Sequence, residues 1–482
     1  MSTHHLVVAR ALSVALTLAS PVLAKNDNLP ESARRYLERQ THHEAVGVVH
    51  DDRLTNALLV RVVPGYARQT GLPCSSCHYQ FPQLNAFGRL FKLNGYTLTG
   101  LKPITDKDDK GRTVLELLPF NPISVMVQAS LTHLATAIPG TQNTTVAMPQ
   151  QLSVFWAGAI SSKLGAFSQV TYSTSGGTFE IDNVDVRYAD HGKIGATPIA
   201  WGITFNNNPT VEDLWNTTPA WSYPFQSSET APSPLGGAQI DGGLAQRAVG
   251  VGAYAMANGT LYAQIAAYRS AVPGAAAPLD TSARNVMSGA TPYWRVALQH
   301  NFGTQYLMVG TFGLSTKLYP AGVAGSTNRY TDAALDAQHE TPLGNGNLVT
   351  RFAWIHETQT NNASYGATPQ AAASRSGTLK TLRASSSWYP SQTFGLTLSA
   401  FSTSGSADTL LYAPEAVNGS ASGSVNSSGG GLGLAFNPWE NARISVSYTM
   451  FNRFNGSKAN YDGSGRNASF NNALFLAWWF NF

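Results

Sequence analysis

The residues with the most definite chemistry lie in one pentapeptide, Cys74-Ser75-Ser76-Cys77-His78, which holds both cysteines of the chain. Two thiols at this spacing can add to the vinyl groups of a haem, and the adjacent imidazole then ligates the iron. A zinc site would need two further Cys or His ligands at suitable spacing, and none occur nearby. A thioredoxin-like redox pair belongs beside a βαβ pattern, which this sequence lacks. A disulfide between the two thiols is the remaining alternative. The sequence thus predicts one covalently bound haem c on Cys74 and Cys77, with His78 as an axial ligand to the metal.

The neighbouring residues must hold such a group. Leu84, Phe87 and Phe91 recur at helical spacing and Gly95 is placed to stop the helix, so an apolar face could lie on the porphyrin. Arg68, Arg89 and Lys92 are candidates to pair the haem propionates; solvated helix charges are the alternative reading. The second axial ligand is not legible locally, and Met126, His42, His43 and His50 are the candidates.

The N-terminus sets the compartment. Residues 11–24 form a short apolar run ending in small residues after Arg10, as a secretory signal does, and cleavage is expected after Ala24. The run is too short for a membrane-spanning helix and continues into polar Lys25-Asn26-Asp27-Asn28.

The composition of the chain as a whole is unusual. Only 12% of the 482 residues are charged, against roughly 25% in an ordinary soluble domain. Disorder is excluded by the plentiful aromatic and aliphatic residues. A bundle of membrane helices is excluded by a mean hydropathy of -0.12. From about residue 121 the sequence alternates with period two. Ile123, Val125, Val127, Ala129 and Leu131 share one face while Ser124, Met126, Gln128, Ser130 and Thr132 share the other. Ile444, Val446, Tyr448 and Met450 alternate with Arg443, Ser445, Ser447 and Thr449, and Trp294, Val296 and Leu298 with Arg295, Ala297 and Gln299. Such segments, about sixteen of them between residues 121 and 482, read as membrane strands with an apolar face to lipid and a polar face to a lumen. Their connections alternate short and long, apart from a short one at Ser175–Thr178, as periplasmic turns and extracellular loops do. The chain ends on Leu474, Leu476, Trp478, Phe480 and Phe482 sharing one face. Trp156, Tyr293, Trp388 and Tyr389 are expected in interfacial girdles. The fold class expected is mostly β: a transmembrane antiparallel barrel of about sixteen strands.

The stretch from Tyr66 to Tyr96, with Pro73-Cys74-Ser75-Ser76-Cys77-His78 ahead of Gly88-Arg89-Leu90-Phe91-Lys92-Leu93-Asn94-Gly95, resembles the haem segment of the fused outer-membrane monohaem cytochrome c-porin family of iron-oxidising bacteria. The resemblance implies one c-type haem followed by a sixteen-stranded barrel, and an Fe(II) oxidase that removes electrons from extracellular ferrous iron. Only Cys74, Cys77 and His78 carry over with assigned roles.

The organisation expected is a signal peptide at 1–24, a small monohaem cytochrome c-like plug at 25–120 and an outer-membrane barrel at 121–482. A haem left in the periplasm could not bridge a hydrocarbon layer of about 30 Å, so the segment is expected to enter the lumen. Parity points Met126 into that lumen, where a thioether ligand would raise the haem potential. The expected partners are extracellular Fe(II), a periplasmic cytochrome c or copper protein, and outer-membrane lipid; no nucleic acid is expected. Glu212, Asp213, Asp332 and Asp336 are read as scattered, solvated loop acids, too dispersed for an iron cage. Two alternatives stand beside the oxidase: a diffusion porin with a structural or sensory haem, and a conduit running electrons outward to an extracellular acceptor.

Overall fold

The computed structural model describes residues 65–173, 177–271, 286–320 and 325–482. The signal peptide and the candidate ligands His42, His43 and His50 lie outside the described residues.

Two short helices and two small hairpins precede the barrel. Helix α1 spans Gly65–Thr70 and α2 spans Ala86–Leu93; between them β1 (His78–Gln80) pairs with β2 (Gln83–Leu84). Leu84 therefore belongs to the hairpin and not to the helix, because Asn85 caps α2 by accepting hydrogen bonds from the Phe87 and Gly88 amides. Gly95, at φ +62°, ends it. Strands β3 (Ile104–Lys107) and β4 (Thr113–Leu117) form a second, largely exposed hairpin.

The barrel strands are β5 (Ile123–Leu134), β6 (Thr144–Ala159), β7 (Leu164–Ser173), β8 (Thr178–Ile194) and β9 (Thr197–Asn206). Then come β10 (Ala248–Ala257), β11 (Leu261–Ser270), the two-residue β12 (Val286–Met287), β13 (Thr291–Phe302), β14 (Gln305–Tyr319), β15 (Asn328–Leu343) and β16 (Gly346–Thr360). The last are β17 (Ser376–Tyr389), β18 (Phe394–Gly405), β19 (Ser427–Trp439), β20 (Ala442–Arg453) and β21 (Ala473–Asn481). Apart from β12, which pairs with part of β14, each strand hydrogen-bonds its sequence neighbours antiparallel, and β21 pairs with β5. The result is a closed barrel of sixteen long strands with no free edge, the β solution that lets a sheet cross lipid.

The strands open where the alternating pattern places them, but several run longer. Strand β6 begins earlier, at Thr144, with Val146 and Met148 continuing its exposed face, and β15 continues to Leu343. The two ends of the barrel meet at one rim, where the Val125 amide donates to the Phe482 carbonyl. The same rim carries the tight turns at 160–163, 195–196, 258–260, 303–304, 344–345, 390–393 and 440–441. It is therefore the periplasmic rim, and the long connections lie on the extracellular side. Between β7 and β8 the extracellular connection is short, as the sequence implies.

Facing follows the pleat. Ser124, Met126, Gln128, Ser130 and Thr132 are buried inside while Ile123 is exposed outside. Val251, Ile265, Val309, Leu335, Leu398 and Leu434 extend the exposed apolar surface around the barrel. Trp156 is exposed on the outside, as a girdle residue should be, and Trp388 shares that outer face. Tyr293 and Tyr389 are not girdle residues: they are 2% and 5% exposed and point inward. Tyr293 shares parity with lumenal Arg295, and Tyr389 alternates with Trp388.

Candidate functional site

The lumen is filled by two pieces of chain that meet inside it. From the periplasmic side, residues 65–98 pack against inward-facing side chains around the ring. The Gly65 amide donates to Ser124 Oγ on β5 (2.7 Å), Tyr66 Oη to the Ala166 carbonyl on β7 (3.0 Å) and Tyr96 Oη to Asp185 on β8 (2.6 Å). Tyr254 Oη on β10 donates to the Leu93 carbonyl (2.8 Å), and Arg443 on β20 donates to the Phe81 carbonyl (2.8 Å). Phe81 meets Trp479 of β21 edge-on at 4.7 Å, and Tyr79 stacks on Tyr389 of β17 at 5.9 Å. Arg89 forms a two-point ion pair with Glu340 of β15 (2.5 and 3.3 Å), and Tyr79 donates to the same carboxylate (2.6 Å).

From the opposite side, the connection 207–247 folds down into the barrel. Lys92 Nζ donates to the Val211 and Asp213 carbonyls at 2.7 Å each, and the Leu84 amide donates to Asn216 Oδ1. The loop is anchored to the wall by Asp213 beside Arg295 (3.3 Å), Thr217 donating to Asp336 (2.5 Å) and Asp241 paired with Arg383 (2.6 Å).

This arrangement corrects the reading of the acids. Glu212, Asp213, Asp332 and Asp336 are at most 3% exposed, and Asp332 and Asp336 sit on β15 rather than on loops. Asp213 and Asp336 are held by Arg295, Asp332 accepts from the Ile240 amide (2.9 Å), and Glu212 accepts from Asn206 and Tyr268. Several of the chain's charges thus lie inside the barrel, where lipid is excluded, and Arg89, Arg187, Arg295 and Arg383 are each paired there with a carboxylate. Among the described residues no three His, Cys, Asp or Glu side chains converge as a metal cage.

The pentapeptide lies near the periplasmic rim. Cys74–Ser76 form a single 3₁₀ turn, closed by the Cys77 amide donating to the Cys74 carbonyl (3.0 Å), and both thiols are free. Ser75 donates from its amide and hydroxyl to Glu440 in the β19–β20 turn (3.1 and 2.8 Å). Burial pushes both thiols up to about 12, helped by Glu440 at Cys74 and by Cys74 at Cys77. A redox-active CxxC pair needs the reverse, a depressed thiol.

The surroundings of His78 fit a haem ligand. Burial lowers the imidazole to about 4, against the opposing pull of the Pro82 and Gln83 backbone, so the ring is neutral, the form that binds a metal. Nδ1 is buried with no hydrogen-bond partner, an orphaned ring nitrogen that a bound group could satisfy. Phe81 packs edge-on to the ring at 5.4 Å, and Phe87, wholly buried, clusters with Cys77, Leu72 and Leu90.

Phe91 does not face the pentapeptide; it meets Tyr66 of α1 edge-on at 4.9 Å. The three cations proposed for propionates are taken by protein groups: Arg68 by the Asn121 and Ile123 carbonyls, Arg89 by Glu340, and Lys92 by two loop carbonyls. Arg89 and Lys92 are buried and are not solvated helix charges, whereas Arg68 stays partly open to solvent. Met126 is inward and 2% exposed, and Gln128 Nε2 donates to its Sδ (3.3 Å). Of two further inward cations, Arg443 lies on the lumenal face where the sequence pattern set it, whereas Arg351 was not singled out by sequence. Strand parity, which sets Arg443 beside Ser445 and Ser447 on the lumenal face, was the signal available.

A closed barrel with an even number of strands, an apolar outer surface and a charged, plugged interior is a transmembrane protein of the outer-membrane barrel class. No protein-family profile and no curated protein matches the sequence. Among solved structures the chain is similar to an anion-selective porin from Comamonas acidovorans (11% identity, 75% of this chain and 98% of that one, TM-score 0.44). It is also similar to the outer membrane channel DcaP of Acinetobacter baumannii (9%, 78% and 99%, TM-score 0.43) and to OmpT, an outer membrane protein of Vibrio cholerae (11%, 75% and 98%, TM-score 0.42). The class assignment rests on the strand topology and on the facing of the side chains.

Proposed function

We propose that this outer-membrane protein is an electron conduit that takes electrons from extracellular Fe(II) and delivers them to a periplasmic cytochrome c or copper protein. The observation that carries the reading is the position of Cys74-Ser75-Ser76-Cys77-His78 inside the barrel, on a segment fastened to most of the ring. Cys74 and Cys77 would hold a haem c as thioethers and His78 would ligate its iron; when bound, this group supplies reversible one-electron chemistry.

The chain's own residues do the rest. Phe81, Trp479 and Phe87 exclude water around the His78 ring. Ser75 and Glu440 fasten the attachment turn at the periplasmic rim, where a soluble carrier can approach. Arg89, Glu340, Lys92 and the loop 207–247 close the lumen between that turn and the outside. On the other side of the loop a cavity of about 600 Å³ remains, lined by residues including Asn216, Tyr223 and Ser385, and it offers Fe(II) an approach from outside without a dedicated cage.

A second reading, a small-solute channel with a structural haem, is favoured by that same cavity. Stopped-flow mixing of the oxidised purified holoprotein with ferrous iron separates the two. The conduit reading expects reduction that saturates with Fe(II); an unreduced haem at every iron concentration would leave the channel reading standing.

A further inference from the structure

Arg351 on β16 points into the lumen and is 4% exposed, yet none of its Nε, Nη1 and Nη2 atoms has a hydrogen-bond partner among the described residues. It is one of the residues lining the cavity of about 600 Å³, a volume within the roughly 300–1,000 Å³ range of small-molecule sites. The guanidinium lies 5.2 Å from the centre of the Phe225 ring, a contact that uses its face and leaves its donor edge free. The carboxylates that could have served it are engaged elsewhere: Glu340 holds Arg89 and Asp213 holds Arg295. Other lumenal arginines show what a satisfied one looks like, Arg187 with Asp185, Arg295 with Asp336 and Arg383 with Asp241. A buried guanidinium without a counter-charge is unfavourable, and its planar fork is matched to an oxyanion.

We propose that Arg351 is the anchor of an oxyanion-binding site in this cavity, whose ligand is a carboxylate or a comparably small oxyanion. Tyr223 lines the same cavity as Arg351 and also a smaller adjoining cleft that holds Arg443. Arg443 spends one Nη1 bond on the Phe81 carbonyl, so the site abuts the hairpin that carries His78. The walls beyond mix polar Ser385, Ser399 and Thr403 with apolar Ile355, Phe401 and Phe475, and their charges, Arg383 and Asp241, are paired with each other. One carboxylate chemistry can come from two sources here. A propionate of the haem on the neighbouring segment is the first, and that source rests on the haem reading of Cys74, Cys77 and His78. A free anion entering the lumen from solution is the second and does not depend on it.

The test uses wild-type holoprotein and Arg351→Met, which keeps the side chain's length without its charge. Sulfate is titrated against chloride at constant ionic strength while thermal unfolding is followed, and the haem midpoint potential of both proteins is measured. If the ligand is a free anion, the wild-type unfolding temperature rises with sulfate and saturates while R351M stays flat. If it is a propionate, sulfate has no effect on either, but R351M has the lower potential, because loss of a nearby positive charge favours the ferric state. Should R351M fail to assemble, Arg351→Gln, which removes the charge but keeps a polar head, is expected to flatten the sulfate response or lower the potential in the same sense. A wild-type protein indifferent to sulfate, together with an unaltered potential in the variants, overturns the proposal.

Discussion

Replacing Arg89 by Met should loosen the lumenal segment and open an ion path through the barrel. The Arg89 guanidinium meets Glu340 at 2.5 and 3.3 Å, and the two side chains are each 7% exposed. Glu340 also accepts from Tyr79 and Gln338, both at 2.6 Å. Removing one partner of such a pair leaves the other charge buried and uncompensated, at about 3–5 kcal/mol. At 1.4 kcal/mol per factor of ten, the undocked population rises roughly a hundred- to several-thousand-fold. The other anchors, at Ser124, Asp185 and Arg443, remain, so the change is a shift in population and not loss of the fold. In planar bilayers the wild-type protein should be nearly silent and Arg89→Met should show frequent openings. The double variant with Glu340→Gln should return toward wild type, because neither charge is then stranded. A wild-type protein that conducts as an open porin, or an Arg89→Met variant as silent as wild type, would refute the reasoning.

Three further outcomes are expected. Cys74→Ala with Cys77→Ala should leave a folded barrel whose denatured polypeptide no longer stains for haem in a gel; persistent covalent haem would sink the attachment assignment. Gly88 packs its Cα directly on the Cys77 carbonyl, with Leu84 Cδ2 within 2.8 Å of where a Cβ would stand, so Gly88→Ala should cost about 1–3 kcal/mol and lower haem incorporation, read by thermal unfolding and haem-to-protein ratio. Burial, aided by Arg187, brings Lys92 down to about 7, below its ordinary value near 10.4. Between those values the unfolded chain binds the proton that the folded one does not, so stability should rise from pH 7 toward pH 10 by at most about 1.4 kcal/mol per unit. Lys92→Met should flatten that rise, and parallel curves for the two proteins would count against the burial of a neutral amine.

The barrel was legible because its signal is periodic. Alternation in Ile123–Leu131 and in Ser445–Met450 is imposed by lipid on one side and water or protein on the other, so parity alone orients the side chains. The pentapeptide was legible because its chemistry fixes a spacing. The inward fold of residues 207–247 was not, since nothing periodic marks a loop that turns into its own lumen. Its buried Val211, Leu214 and Trp215 are ordinary loop residues until Lys92 and Asp336 are seen beside them. The acids were misjudged for the same reason: Asp332 and Asp336 look dispersed along the sequence, yet β15 aligns them on one lumenal face. Tyr293 and Tyr389 were misassigned by type, although parity with Arg295 and alternation with Trp388 already pointed them inward.

Proteoliposomes with the holoprotein inserted, an oxidised soluble cytochrome c trapped inside and ferrous iron added outside, test the central claim most directly. The account predicts reduction of the enclosed cytochrome that depends on Cys74 and Cys77 and proceeds without leakage of iron into the vesicle. No reduction inside, or equal reduction by the variant lacking both cysteines, would contradict it.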